Sequence, residues 1–271
     1  MGKSSGVSEK LINILFAVCL GILILAGVYA CTKIFIADRF TIRGHSMEPT
    51  LHTGKHIIVN KLIIGPRVYK DFDFSKPELK SFRLPGFRRL RPGDIAVFNY
   101  PEGWEEGIIG FKINYVYAKR CIGVAGDTVS IVNGYYRNSS KPGLIIGLED
   151  SQKFLSSTPD SLLSGVTIHA FEHSRTGWTI CDFGPLYVPR KGDVIHLDTL
   201  SALLYRKLIV YESGKEPVPG NDYRFKENYC FFGGDNILNS RDSRYIGLVP
   251  ESFVVGVCLD DSSIIRLSRA R

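Results

Sequence analysis

Residues 115–132 read YVYAKRCIGVAGDTVSIV. Two runs rich in β-branched and aromatic side chains, 115–122 and 127–132, are broken at Gly126-Asp127, the pattern of strands separated by a turn. Gly-Asp pairs recur at 93–94 and 192–193, each opening another apolar run, 94–99 (DIAVFN) and 193–197 (DVIHL). The runs 55–60, 205–211, 229–232 and 253–258 have the same character, each bounded by turn-forming residues nearby. The expected fold class is therefore mostly β.

One segment breaks this pattern. Leu11 to Cys31 is LINILFAVCLGILILAGVYAC, uncharged and with Asn13 as its clear polar residue. A helix of that length spans the roughly 30 Å hydrocarbon core of a bilayer. Val28-Tyr29-Ala30 also satisfies the small-residue rule for a cleaved leader, but the apolar core is longer than a leader needs. We read 1–10 as a cytoplasmic tail and 11–31 as a retained transmembrane helix. Lys3 and Lys10 against Glu9 are a weak positive-inside signal placing the remaining chain across the membrane. No long amphipathic helix is evident after the anchor.

Composition bounds the rest. The 271 residues are 44% hydrophobic and 23% charged, and the mean hydropathy is +0.02. These values exclude wholesale disorder and a many-pass membrane protein. The formal charge of +7 is partly concentrated between Lys76 and Arg91. With an anchor in the same chain, membrane lipid is a nearer partner for that run than nucleic acid, and a solvated loop explains it equally well. Residues 134–224 are rich in Ser, Gly and Pro and hold weaker strands. We read them as a smaller β/loop domain inserted between 32–133 and 225–271. Asn138-Ser139-Ser140 matches a glycosylation sequon by pattern only. Cys121, Cys181, Cys230 and Cys258 form no CxxC and read as buried thiols, with one disulfide left open.

The search for nucleophiles stops at Gly44-His45-Ser46-Met47-Glu48-Pro49-Thr50-Leu51, which follows the anchor closely. This is not the G-x-S-x-G elbow, because Glu48 stands where the second Gly belongs. His45 neighbours Ser46, yet adjacent side chains in an extended chain point to opposite faces. His52, His56, His169, His173 and His196 sit in no triad context, and Gly54 argues against a helical His52/His56 zinc pair. No metal or other cofactor is implied. A neutral lysine is the other way to activate a serine. Lys119 would share a strand face with Tyr115, Tyr117 and Cys121, where burial would depress its pKa. An exposed strand lysine fits the same spacing, and spacing alone does not pair it with Ser46.

Four blocks settle the reading: GHSMEPTL (44–51), RPGDIAVFNYP (91–101), KRCIGVAGDTV (119–129) and GGDNILNSRDSRYIGLVPE (233–251). In this order, behind an apolar anchor, they resemble the bacterial type I signal peptidases, membrane-bound serine proteases that cut signal peptides from exported preproteins. The resemblance implies a coiled antiparallel-sheet catalytic domain outside the cytoplasmic membrane. It makes Ser46 the nucleophile and Lys119 the general base. Ser240 would hydrogen-bond the lysine amine, with Asp242–Arg244 and Asp235–Arg120 as supporting ion pairs. Phe40, Ile42, Met47, Leu51, Tyr117 and Ala118 would wall pockets for small residues at substrate positions −1 and −3. Gly44 stands where some members carry a serine that serves the oxyanion hole, and Ile237-Leu238 replaces a frequent Arg-Asp. The partners implied are preprotein signal peptides and membrane lipid, with no nucleic acid; oligomeric state is open. A tethered binding protein of the same fold that has lost activity, and a Ser/Lys peptidase with a specialised substrate such as a pilin, are the rival readings.

Overall fold

The structure is a computed structural model that describes residues 4–73, 79–101, 103, 107–159, 162–163 and 166–259. Helix α1 (Ser4–Cys31) runs on through one π-helical turn (Thr32–Ile36). Residues Glu9–Ile36 form a continuous apolar helix, none of it buried against the protein, long enough to cross a membrane. This fits a membrane-anchored protein.

Among the described residues fourteen strands follow: β1 (Ala37–Thr41), β2 (His56–Asn60), β3 (Arg67–Tyr69), β4 (Ser81–Arg83), β5 (Ile95–Asn99), β6 (Val116–Val124) and β7 (Thr128–Val132). After them come β8 (Tyr135–Asn138), β9 (Phe183–Tyr187), β10 (Val194–His196), β11 (Asp222–Arg224), β12 (Tyr229–Gly233), β13 (Val249–Pro250) and β14 (Val254–Leu259). The main sheet is antiparallel with order β1-β2-β14-β5-β6-β12-β13. The mostly β expectation holds. Bulges between Phe231 and Phe232 and between Val254 and Gly256 bend the sheet. β5 lies inside it and is buried at every residue, which is why its sequence reads as a continuous apolar run.

A three-stranded sheet, β8-β7-β9, and two two-stranded antiparallel sheets, β3–β4 and β10–β11, complete the β structure of the described residues. The smaller sheet takes β7 from before position 134 and its other strands from within 134–224. Val129, Ile131, Tyr136 and Leu186 share one hydrophobic cluster with Phe98, Ile122, Phe231 and Phe232 of the main sheet.

The expected strand at 205–211 is instead part of a helix. Of the shorter helices, α2 (Glu149–Ser157), α3 (His173–Thr176), α4 (Thr199–Ser213) and α5 (Ser243–Ile246), α4 contains it. Asp198 caps α4 by accepting from Ser201 N–H at 2.6 Å, while Ser201 Oγ accepts from Asp198 N–H at 2.8 Å. Gly214, at φ 68°, closes the other end. Ala202, Tyr205, Leu208 and Ile209 are the buried positions, a helical spacing that the β-like run IVY at 209–211 masks.

Two local patterns also resolve. Asn138 is buried and donates to Ile122 O and Asp127 Oδ2, both at 2.8 Å, so the sequon's amide is not presented to solvent. Within the basic run, Arg83 donates to Gly65 O at 2.7 Å and Val254 O at 2.5 Å. Arg88 grips Asp94 with two bonds of 2.6 and 2.8 Å. Those two cations hold the fold together rather than forming a loose charged surface. Lys76 lies outside the described residues.

Candidate active site

Ser46 sits in the loop between β1 and β2. The pairing of these strands continues through Ile42 N–H to Lys55 O at 2.9 Å, after which the chain turns at Gly44, φ 84°. Met47 and Leu51 anchor the loop from below, 2% and 0% exposed. Asn236 pins it from the side, donating its backbone N–H to Ser46 O and its Nδ2 to His45 O, each at 3.1 Å. Thr50 Oγ1 donates to Asp235 Oδ2 at 2.5 Å. His45 pairs with Glu48 at 2.9 Å.

Lys119 lies on β6 opposite Ala96 of β5 and is 1% exposed. Its Nζ donates to Ser46 Oγ, joining groups 73 residues apart in sequence. Burial is the main effect on this amine and pushes its pKa from the ordinary 10.5 to about 8; Asp242 opposes that shift, Arg244 reinforces it and Asp235 opposes it. The Tyr117 ring lies 5.4 Å from the nitrogen.

Two ion pairs stand behind these groups. Arg120 Nε and Nη2 donate to Asp235 at 2.7 and 2.5 Å, and Nη1 donates to Gly93 O at 2.8 Å. Arg244 Nε and Nη2 donate to Asp242, both at 2.9 Å, with both side chains fully buried. Burial alone would raise the Asp242 pKa, but the Arg244 charge and hydrogen bonds hold it below the usual carboxylate value. Gly234 N–H also donates to Asp242, at 2.8 Å.

Two sequence expectations need correction. Among the described residues no hydrogen bond joins buried Ser240 Oγ to the lysine amine, so that expected bond is not made; the hydroxyl lies toward Asp242 and helps hold its carboxylate charged. The amine turns to Ser46 instead, and Ser240 packs on Gly234. A Cβ on that glycine would lie 2.1 Å from Ser240 Oγ and 2.6 Å from Ser46 O. Nor is Leu51 a pocket wall. It lies beneath the groove beside Met47, Ile57 and Val97.

The groove itself, about 510 Å³, runs past Ser46 between residues 39–43 and 113–118. Phe40, Ile42, Met47, Tyr117 and Ala118 line it, and Ile57 and Val97 add a floor the sequence did not announce. Thr50, Gly234 and Asn236 also escaped the sequence reading, although each lies inside a quoted motif block. Among the described residues no three of His, Cys, Asp and Glu converge as a metal site.

Set against known proteins, residues 15–175 and 187–259 match the family model described as signal peptidase, peptidase S26. Signal peptidase I of Pseudomonas fluorescens is 28% identical over 236 residues, covering 82% of this chain and 63% of the relative. That of Bacillus amyloliquefaciens is 27% identical over 250 residues, covering 90% and 78%. The chain thus spans under two thirds of the length of the Pseudomonas relative. A crystal structure of a signal peptidase I from Enterococcus faecalis aligns with TM-score 0.31 and 21% identity, covering 62% of this chain and 96% of that one. With a family match that runs from the apolar helix through the Ser46 and Lys119 segments to β14, the chain belongs to the signal peptidase family, peptidase S26.

Proposed function

We propose that the protein is a membrane-anchored serine endopeptidase that cuts signal peptides from exported preproteins, with Ser46 as nucleophile and Lys119 as general base. The observation that carries the reading is the lysine amine, buried and donating to the serine hydroxyl. A base must be neutral to accept a proton. At a pKa of about 8, roughly a tenth of the lysine is neutral at pH 7, whereas an ordinary lysine is almost wholly charged.

Neutral Lys119 takes the Ser46 proton as Oγ attacks the scissile carbonyl carbon. The resulting ammonium protonates the departing amine, leaving an acyl-serine. The amine, neutral again, then draws a proton from water as its oxygen attacks the acyl carbon; the bond to Ser46 Oγ breaks, the ammonium returns the proton to that oxygen, and the acid leaves. The oxyanion would rest on the Ser46 backbone N–H, since Gly44 has no hydroxyl to add. Asp242–Arg244 and Asp235–Arg120 position the two strands and the loop without touching substrate. An extended peptide would lie in the groove along the free edge of β1, its alternate side chains turned to the floor. Shallow space there favours small residues at −1 and −3. The N-terminus would be cytoplasmic and the β domains on the outer face of the cytoplasmic membrane, near lipid and emerging preproteins. Segment 134–224 would act as the inserted second domain.

The test uses the full chain in detergent with a preprotein substrate. Cleavage after a small residue should fall by about two to four orders of magnitude in both Ser46→Ala and Lys119→Ala. Undiminished cleavage in Lys119→Ala overturns the dyad; no cleavage by the wild type overturns the peptidase reading in favour of a tethered binding protein.

A further inference from the structure

The groove has an electrostatic character that small-residue pockets do not account for. Arg39 and Arg43 are both exposed and both line it. Among the described residues neither guanidinium has an ion-pair or hydrogen-bond partner; the polar contact of Arg39 is its backbone N–H to Asp38 at 2.8 Å. Thr41, between them, turns its hydroxyl to His56 Nδ1 at 2.9 Å. Among the described residues no Asp or Glu lines the groove, and its opposite wall presents Asn114, Tyr115 and Tyr117.

Strand alternation orders these side chains. Phe40 and Ile42 turn toward the apolar cluster under the groove, and Arg39, Thr41 and Arg43 take the other face. β1 is an edge of the main sheet, so an extended peptide laid against it inherits the same alternation. Its floor-facing side chains meet Phe40 and Ile42, while the intervening ones pass the two arginines. Those lie four residues apart, about 13 Å along the strand. Arg43 is three residues from Ser46.

We propose that Arg39 and Arg43 make the groove select extended peptides with acidic side chains at the positions that alternate with the small, floor-facing ones. This rests on the peptidase reading and narrows its substrate class. The shape of the groove sets which side chains must be small, and the two unpaired guanidiniums set the charge of those between. An anionic lipid headgroup would satisfy the same guanidiniums, but their place along the groove beside Ser46 favours the peptide.

The test is a peptide series of one sequence, with Ala at the floor-facing positions and Glu, Gln or Lys at the alternating ones. Wild-type kcat/KM should fall from Glu to Gln to Lys by about two- to fivefold per step at low salt, the size of a solvent-exposed ion pair. The spread should narrow in 0.5 M KCl. In Arg39→Gln/Arg43→Gln the Glu-to-Lys ratio should collapse toward one. Indifference of the wild type, or an unchanged ratio in the double variant, overturns the proposal. So does a double variant that alters only binding to phosphatidylglycerol vesicles, which assigns the arginines to lipid. Binding of the same peptides to Ser46→Ala, read by fluorescence anisotropy, separates the two claims. Charge-ranked binding without wild-type cleavage keeps the selectivity and fails the peptidase; cleavage without ranking does the reverse.

Discussion

Two hydrophobic clusters lie on opposite faces of the main sheet, and they differ in what they hold. Along β5 the alternation sends Ile95 and Val97 into the smaller cluster and Ala96 and Phe98 into the larger. The smaller gathers Met47 and Leu51 of the Ser46 loop with Ile42, Ile57, Val59 and Cys258, and the groove lies over it. The larger runs from the main sheet into the three-stranded sheet and α4, with Phe98 stacked on Phe232 at 4.3 Å and Phe253 edge-on to Phe111 at 5.4 Å. Most of the burial that opposes chain entropy lies in the larger cluster. The smaller one fixes where a serine sits. Bulk stability and the placing of the Ser46 loop are therefore carried by different sets of side chains, with Lys119 rising from the larger cluster's face opposite Ala96, and substitutions should separate them.

The largest effect is expected at the polar seam behind the lysine. Asp242→Ala leaves Arg244 fully buried without its carboxylate, at a cost of about 3–5 kcal/mol by denaturant titration. In the fraction that folds, Lys119 loses a negative neighbour that raises its pKa, so the rising limb of the rate profile should move to lower pH. A loss below 1 kcal/mol would mean that the seam is ornamental and the contrast between clusters incomplete.

Next comes the direct contrast. Phe253→Ala in the larger cluster should cost about 3–5 kcal/mol, with activity per folded molecule kept within roughly threefold. Leu51→Ala should cost about 2–4 kcal/mol but lower kcat/KM at least tenfold, because a small shift of the loop misaligns Ser46. Equal activity losses in the two variants would erase the distinction.

The sequence carried the β architecture well, because turn chemistry at Gly93-Asp94 and Gly126-Asp127 and the apolar run of β5 are local signals. It carried α4 poorly. The window 205–211 looks β-like on its own, and the cues that decide it, Asp198 with Ser201 and the closing Gly214, lie outside that window. Ser46 and Lys119 were legible only through the motif blocks, since no periodicity relates residues that meet through a sheet crossing. Leu51 was misassigned because closeness to Ser46 within one motif block does not say which side of the loop a side chain takes. Ser240 was placed in the right neighbourhood, but whether a hydroxyl bonds an amine is a matter of tenths of an ångström that sequence does not encode.

Lys119 gives a smaller effect that tests the same seam through pH. Its folded pKa of about 8 lies below the ordinary 10.5 of the unfolded chain. Between those values the unfolded chain binds the proton that the folded protein has released, so stability rises with pH across this window. Below about pH 8 both states are protonated and the penalty of burying the ammonium is complete. Above about 10.5 it is gone. The gain across the window is on the order of 3 kcal/mol, and Lys119→Met should lack it. A parallel pH dependence in that variant would show that the gain comes from elsewhere.

The smallest predicted effect concerns a cation that composition alone would have given to a partner. Arg88 and Arg89 are neighbours in the basic run and carry equal charge. Arg88 makes two bonds to Asp94, with the paired side chains 27% and 14% exposed, whereas Arg89 is exposed. Arg88→Gln should cost up to about 1 kcal/mol, and Arg89→Gln less than about half of that. If the run acted as a charged surface, both variants would weaken binding to anionic vesicles alike and neither would touch stability. The inequality has a structural reason. Asp94 stands at the entrance to β5, next to Gly93, whose carbonyl accepts from Arg120 and whose N–H donates to Cys121 O at 2.8 Å. The Arg88–Asp94 pair thus steadies the turn against which the Arg120–Asp235 pair leans, and through Thr50 that pair reaches the Ser46 loop. A modest drop in kcat/KM, up to about threefold in Arg88→Gln and absent in Arg89→Gln, would trace that path from the protein surface to the serine.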